Sequence, residues 1–101
     1  EGLPKAVAVL NPHQSNCDYP YRFLSGVGLA FKLAVAVRTS LYKKMNWNKD
    51  QLPNMKRHLD LVALGTIADV APLTGENHTL VRHGLEVLAT TDKAGLVALK
   101  A

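Results

Sequence analysis

Apolar and polar stretches divide the first quarter of the chain into a short apolar segment and a polar loop. Residues Ala6 to Leu10, AVAVL, form an apolar run that Asn11 and Pro12 end. This pattern predicts a buried strand followed by a turn. The next stretch, 11–23, is rich in Pro, Asn, Asp and Ser and predicts a loop.

A first helix is predicted after Ser25, a residue type that caps helix N-termini well. The residues that follow at helical spacing are Val27, Phe31, Ala34, Arg38, Leu41 and Met45. Polar residues gather only in the second half of this helix, from Arg38 onward. We therefore expect the first half to be buried and the second half to emerge into solvent.

Two more helices are predicted downstream. The second begins near Pro53, runs to about Asp69 or Val70, and is stopped by Pro72. The third has Asn77 or Thr79 as its cap, an apolar face from Leu80 to Leu88, and an end at 90–93. The last residues, GLVALKA, predict a further helix or strand. These patterns indicate a helix-rich α/β chain with one N-terminal strand and about three helices.

Composition limits the class of protein. The chain has 101 residues, of which 48% are hydrophobic and 20% charged, which is typical of one small globular domain or a piece of one. No apolar run reaches the roughly 18 residues of a membrane span, so we expect a soluble, cytoplasmic protein. The single cysteine, Cys17, excludes an internal disulfide. The histidines and Cys17 lack the spacing of a zinc site.

The net charge of +4 is concentrated in one stretch. Within 43–57 the basic residues face a single acidic residue, Asp50, and they are Lys43, Lys44, Lys49, Lys56 and Arg57. A nucleic-acid contact and an ordinary solvated surface both account for this excess.

A carboxylate near the end of the second predicted helix raises the first question of chemistry. The helical period places Asp69 in one stripe with Met55, Leu59, Val62 and Thr66, so its side chain is expected to point where apolar side chains point. A carboxylate is also unfavourable at a helix C-terminus. By contrast, Asp60 has Lys56 and Arg57 one turn earlier and predicts a surface ion pair.

Three kinds of partner could compensate Asp69: a distant basic residue, backbone N–H groups in an Asx-turn before Pro72, or a metal ion. The spacing alone leaves all three open. Gly65, one turn earlier, favours a functional interpretation, since glycine inside a helix costs about 1 kcal/mol relative to alanine. Such a glycine often marks close approach by another backbone or a ligand.

Two further groups could contact phosphate. Ser25, Gly26 and Gly28 lie at a helix N-terminus, where N–H groups and the helix dipole can hold an anion, although a plain cap explains them equally well. His78 and Arg82 lie one turn apart on the third predicted helix, opposite its apolar face. They could meet an anion or only solvent.

The chain resembles the RecJ family of single-stranded-DNA-specific exonucleases in the DHH phosphoesterase superfamily. Two blocks carry the resemblance: LPKAVAVLNPHQSNCDYPYRFLSGVGLAFKL at 3–33 and LDLVALGTIADVAPLTGEN at 59–77. It implies an α/β catalytic domain with a two-metal site for Mn²⁺ or Mg²⁺, in which Asp69 is one ligand. The family usually has Arg where this chain has His78, so a phosphate role for that position is in doubt.

The resemblance also implies a place within a larger enzyme. In the family the DHH motif lies shortly before the segment matched by Leu3 to Ala6, so residues 1–101 are expected to be the part of the DHH domain after that motif. The initial Glu1 and the apolar end also suggest a fragment. Alone it is expected to be inactive, with the remainder of the parent chain supplying most metal ligands.

Three functions follow as hypotheses. The first is that the parent protein hydrolyses single-stranded DNA from 5′ to 3′ in repair and recombination. The second is another DHH phosphoesterase, acting on oligonucleotides, cyclic dinucleotides or pyrophosphate. The third is a non-catalytic nucleic-acid-binding module. Apolar surface left uncovered by missing segments could also make the fragment a homodimer.

Overall fold

Four α-helices form the framework of this computed structural model, which describes residues 2–101. They are α1 (Gly26–Lys44), α2 (Leu59–Ala68), α3 (Gly75–Ala89) and α4 (Ala94–Lys100). Two short 3₁₀ helices, Lys49–Gln51 and Met55–His58, lie between α1 and α2. The helix-rich character predicted from the sequence is confirmed. None of these helices is both long and apolar enough to cross a membrane.

The prediction of a strand at 6–10 is wrong, since residues 6–10 do not form one in the structure. Residues 5–7 form a bend, and Val7 is fully exposed. A strand needs a neighbouring strand for its N–H and C=O groups, and residues 2–101 contain none. The segment is held instead by the Gln14 side chain, whose Nε2 donates to the Val9 carbonyl at 3.1 Å.

Helix α1 begins where the sequence predicts, because the Ser25 hydroxyl accepts a hydrogen bond from the Gly28 N–H at 3.1 Å. The expected burial of its first half is wrong, since Gly28 is its one fully buried residue. Leu33 and Val37 remain 53% and 49% exposed. The apolar surface of α1 is therefore broader than the surface that α2 covers.

The other helix boundaries differ from prediction for local reasons. The chain does not enter a regular helix at Pro53, because the Asn54 side chain accepts from the Lys56 N–H and begins a 3₁₀ turn. Helix α3 starts at Gly75, before both predicted caps, and Asn77 is fully buried rather than capping. The C-terminal segment is a fourth helix, α4, and not a strand.

The core lies mainly between α2 and α3, where two helices approach unusually closely. A Cβ on Gly84 of α3 would lie 2.3 Å from the Leu59 carbonyl oxygen and 2.6 Å from the Ala63 Cβ. Only glycine leaves room for this backbone contact. Helix α1 packs on α2 through Val27, which occupies the space beside Gly65.

The opposite face of α2 remains apolar and open. Leu61, Leu64 and Ile67 are 42%, 39% and 46% exposed. A helix that is apolar on all sides is normally covered on all sides. Within residues 2–101, α2 is covered on only part of its circumference.

Candidate functional site

Asp69 lies at the C-terminal end of α2 and is exposed to solvent. Its backbone N–H donates to the Gly65 carbonyl at 3.0 Å, which completes the last helical turn. The buried stripe of α2 ends at Thr66, because the helix stops at Ala68 and no described residue covers the position beyond it. The expectation that Asp69 shares the buried face is therefore wrong.

The carboxylate of Asp69 is open to a ligand. In the described part of the chain, both ion pairs involve other acids, namely Glu76 with Lys32 and Asp60 with Lys93. A distant basic partner is thus not found for Asp69 among residues 2–101. Among the described residues, the group that approaches Gly65 is the Val27 side chain and not a backbone, and close approach by a ligand stays a prediction.

The backbone after Asp69 turns sharply through a left-handed residue. The Val70 N–H donates to the Ile67 carbonyl at 3.0 Å, and the Ala71 N–H donates to the Thr66 carbonyl at 3.2 Å. This pair of bonds is the Schellman arrangement that ends many helices. The left-handed position, with φ of +55°, is filled by Val70 where glycine is usual.

The loop before α1 holds the segment that follows this turn. The Tyr21 hydroxyl donates to the Thr74 carbonyl at 2.7 Å. The Asn77 amide nitrogen donates to the Pro72 carbonyl at 2.9 Å and to the Phe23 carbonyl at 2.6 Å. The segment after the turn is therefore held by a tyrosine more than fifty positions away in the sequence and by an asparagine on the next helix.

The serine and glycines predicted to contact phosphate lie close to the same end of α2. The Ser25 hydroxyl is buried and lies 2.7 Å from the Thr66 hydroxyl, in addition to capping α1. Gly28 is buried, whereas Gly26 is exposed. The geometry accounts for Ser25 as a cap and a link to α2, and phosphate contact by these three residues stays a prediction.

His78 and Arg82 are both exposed on α3. Their position on the outer side of the helix agrees with the predicted polar face. Neither residue takes part in the ion pairs formed by residues 2–101. Their contact with phosphate also stays a prediction.

A polar cluster beside this region has little signal in the sequence. Glu76 accepts a hydrogen bond from the Tyr19 hydroxyl and pairs with Lys32, whose ammonium also lies 5.2 Å from the centre of the Tyr19 ring. Burial acts to raise the pKa of Glu76, but the bonds from Lys32 and Tyr19 outweigh it and lower that pKa. The same contacts raise the pKa of Lys32. The cluster joins the N-terminal loop, α1 and α3.

Asp60 is the buried carboxylate of α2, so its prediction as a surface ion pair with Lys56 and Arg57 is wrong. It is fully buried and accepts from Lys93 at 2.8 Å, from the Thr91 hydroxyl at 2.7 Å and from the Leu61 N–H at 2.7 Å. Burial acts to raise the pKa of Asp60, but these donors outweigh it and lower that pKa. Asp60 is thus a structural residue that joins α2 to the segment before α4.

A complete metal centre is not formed by the described residues. No group of at least three His, Cys, Asp or Glu side chains in residues 2–101 could hold an ion. A hard divalent cation takes several oxygen ligands. The exposed Asp69 carboxylate fits the role of one such ligand, and a complete site would need others from outside residues 2–101.

The chain is similar along almost its whole length to proteins named single-stranded-DNA-specific exonuclease RecJ. It is 44% identical to the protein of Haemophilus influenzae over 98% of its length, 42% identical to that of Escherichia coli over 96%, and 43% identical to that of Bacillus subtilis over 96%. It spans 17%, 17% and 11% of these relatives. No protein-family model and no solved structure matched the chain.

Proposed function

Since this chain corresponds to one segment of the RecJ family, we propose that it is part of a single-stranded-DNA-specific exonuclease. The observation that carries this proposal is identity of 42% to 44% to RecJ proteins over 96% to 98% of the chain. Within such an enzyme, residues 1–101 would form part of the DHH-type α/β domain and act in the cytoplasm. Cleavage from 5′ to 3′ in repair and recombination is what the family resemblance implies.

Asp69 is the residue that we assign to the chemistry. Its carboxylate is exposed at a helix end and is free of the salt bridges formed by residues 2–101, which leaves its oxygens able to bind Mn²⁺ or Mg²⁺. When bound, two such ions activate water and stabilise charge on the phosphoryl oxygens. Asp69 would hold one ion in place, and the segment alone would be inactive.

DNA contact is assigned to exposed polar side chains. Arg82 and His78 lie on the outer side of α3, and Arg57 lies just before α2, at the end of the basic stretch 43–57. The positive charge of the two arginines attracts the phosphate backbone of a single strand whatever its base sequence, and the His78 ring can donate a hydrogen bond to a phosphate oxygen. The exposed Gly26 N-terminus of α1 is a further candidate for phosphate contact.

The uncovered apolar surfaces support a role within a larger assembly. Leu61, Leu64 and Ile67 of α2 and Leu33 and Val37 of α1 are exposed although they are large and apolar. We assign them to packing against the remainder of the parent chain. The isolated segment is expected to associate through them as a homodimer, and light scattering coupled to size exclusion that gives only the monomer mass would contradict this.

The test is nuclease activity of the full-length protein that carries this segment. Wild type, Asp69→Asn and a matched control, Asp92→Asn, are assayed for nucleotide release from 5′-labelled single-stranded DNA with Mn²⁺. Asp92 is exposed, like Asp69, but lies before α4. We expect Asp69→Asn to lose activity by about a thousandfold or more, since metal-held charge stabilisation contributes several kcal/mol, and the control to match wild type.

Other outcomes separate the remaining functions. Hydrolysis of dinucleotides or pyrophosphate without release from long strands would indicate another DHH phosphoesterase. Binding of single strands without Mn²⁺-dependent hydrolysis would indicate a non-catalytic module. Replacing the matching segment of the Escherichia coli relative with this chain gives a second assay, in which retained activity supports the exonuclease.

A further inference from the structure

The turn after α2 has a feature that folding stability within the described chain does not explain. Val70 adopts a left-handed backbone conformation that is unfavourable for a β-branched residue. The residue is 86% exposed, so it gains little burial among residues 2–101 in return. Glycine would adopt this turn without strain.

Surrounding contacts hold the strained turn from both sides. On the helix side, the Ala71 N–H donates to the carbonyl of Thr66. The Thr66 hydroxyl is in turn hydrogen-bonded to the Ser25 hydroxyl. On the other side, Pro72 accepts from the Asn77 amide, and Thr74 accepts from Tyr21. These bonds tie the backbone on both sides of Val70 to the N-cap of α1, to the loop before α1 and to α3.

Asn77 supplies a second sign that this arrangement is not set by stability alone. Its amide nitrogen serves two carbonyl groups, those of Phe23 and Pro72, and the residue is fully buried. The amide oxygen is buried without a hydrogen-bond partner in the described chain. A buried polar atom without a partner is unfavourable, so the two bonds at the nitrogen are kept despite this loss.

We propose that this turn is a rigid support for Asp69, and that Val70, Tyr21 and Asn77 are positioning residues for its carboxylate. The proposal rests on the proposed function, in which Asp69 binds a metal ion. A residue with a Cβ is allowed only a small range of left-handed φ and ψ angles. The backbone beside Asp69 can therefore rotate over only a narrow range while the contacts hold Val70 in that region. Glycine at this position would allow a wide range of rotation.

The test measures Mn²⁺ binding to the full-length protein by electron paramagnetic resonance, which does not depend on turnover. Val70→Gly frees the backbone, whereas Val70→Ala shortens the side chain and keeps the restriction. Tyr21→Phe removes the bond to Thr74, and Tyr42→Phe is its control on the exposed side of α1. Melting temperature, kcat and KM for single-stranded DNA are measured on each variant.

We expect Val70→Gly and Tyr21→Phe to weaken Mn²⁺ binding by about tenfold or more, in the range found when residues that orient metal ligands are changed. The value of kcat should fall with little change in KM, and Val70→Gly should melt no lower than wild type. The Val70→Ala and Tyr42→Phe controls should bind Mn²⁺ within about twofold of wild type, because each keeps the turn and its anchors.

Unchanged Mn²⁺ affinity in Val70→Gly overturns the proposal, as does a loss of affinity found only where the melting temperature also falls. Asp69→Asn separates this failure from that of the proposed function. If Asp69→Asn weakens Mn²⁺ binding while Val70→Gly and Tyr21→Phe do not, only the positioning role is lost. If Asp69→Asn also leaves binding unchanged, Asp69 is not a ligand and both proposals fall.

Discussion

The two ends of α2 carry aspartates in opposite environments. Asp60, at the N-terminal end, is fully buried and bonded to Lys93 and Thr91. Asp69, at the C-terminal end, is exposed, since the buried face of α2 ends at Thr66. One carboxylate therefore contributes to the fold, whereas the other is left available for chemistry.

Because Asp60 is buried and the turn after Asp69 is strained, the two ends of α2 should respond differently to substitution. The N-terminal end of α2 packs on α3 at a glycine, Gly84, and is joined to the segment before α4 by the ion pair of Asp60 with Lys93. Ending the helix at Asp69 uses a strained valine and anchors from a distant loop. Changes at the first end should alter stability, and changes at the second should alter metal binding far more than stability.

The largest effect is expected from Gly84→Ala. The new Cβ would meet the Leu59 carbonyl oxygen at 2.3 Å, and a backbone atom cannot move aside as a flexible side chain can. We expect the free energy of unfolding in urea to fall by about 3 kcal/mol. Gly95→Ala is the control, because a Cβ there meets nothing within 4 Å and should stabilise α4 slightly. A loss at Gly84 no larger than at Gly95 would contradict the close α2 to α3 packing.

The next effect compares the two aspartates directly. Asp60→Asn removes the charge that pairs with Lys93 in a buried site, and we expect a loss of about 2 to 3 kcal/mol in the free energy of unfolding. Asp69→Asn should change it by no more than about 0.5 kcal/mol, since exposed substitutions rarely do more. Parallel urea titrations measure both. Equal losses would mean that Asp69 is also held structurally.

Acid should act through the paired carboxylates. The folded-state pKa values of Asp60 and Glu76 are lowered, so the unfolded chain binds more protons in acid and the folded state loses its advantage as the pH falls. Stability should be retained above about pH 5 and decline below the ordinary carboxyl pKa values near 4. Thermal melts from pH 7 to pH 3 measure this, and Asp60→Asn should decline less steeply. An identical slope in that variant would contradict the assignment.

The opposite sign holds for Lys32. Its raised pKa means that its contribution is complete below the ordinary lysine value and is lost only as the pH rises through the higher folded-state value. The alkaline limb of the same melts tests it with Lys32→Met. That variant should lose part of the decline above about pH 10, and an unchanged limb would exclude the contribution.

The smallest effect is expected from Val70→Gly. Relief of the left-handed strain should offset the greater freedom of glycine in the unfolded chain, so the free energy of unfolding should rise by no more than about 1 kcal/mol. Urea titration with Val70→Ala as the reference measures the difference. A clear loss of stability would show that the valine side chain contributes packing at this end of α2.

Local signals predicted much of the helical framework. Ser25 caps α1 as expected, and the second helix ends before Pro72. Both outcomes depend on hydrogen bonds and backbone restrictions within a few residues, which a sequence displays directly. The strand at residues 6–10 fails because a strand depends on a partner that these residues cannot supply.

The environments of the two aspartates could not be predicted in the same way. Asp60 has basic neighbours one turn away, yet its partner is Lys93, thirty-three positions further along the chain. Asp69 continues the apolar period of α2, but periodicity does not reveal that the helix stops and that its face is uncovered there. The proposed metal role of Asp69 therefore depends on family resemblance, since the spacing left an ion pair and an Asx-turn open.

The anchors of the Asp69 turn also join parts of the chain that are far apart in the sequence. Tyr21 meets Thr74 and Phe23 meets Asn77 across separations of 53 and 54 residues. Contacts between residues so distant in sequence require closure of a long loop, which slows their formation relative to helices. We therefore expect the two distant anchors of the turn beside Asp69 to form after the helices do. A ligand that requires the anchored turn would bind only to molecules in which these late contacts have formed.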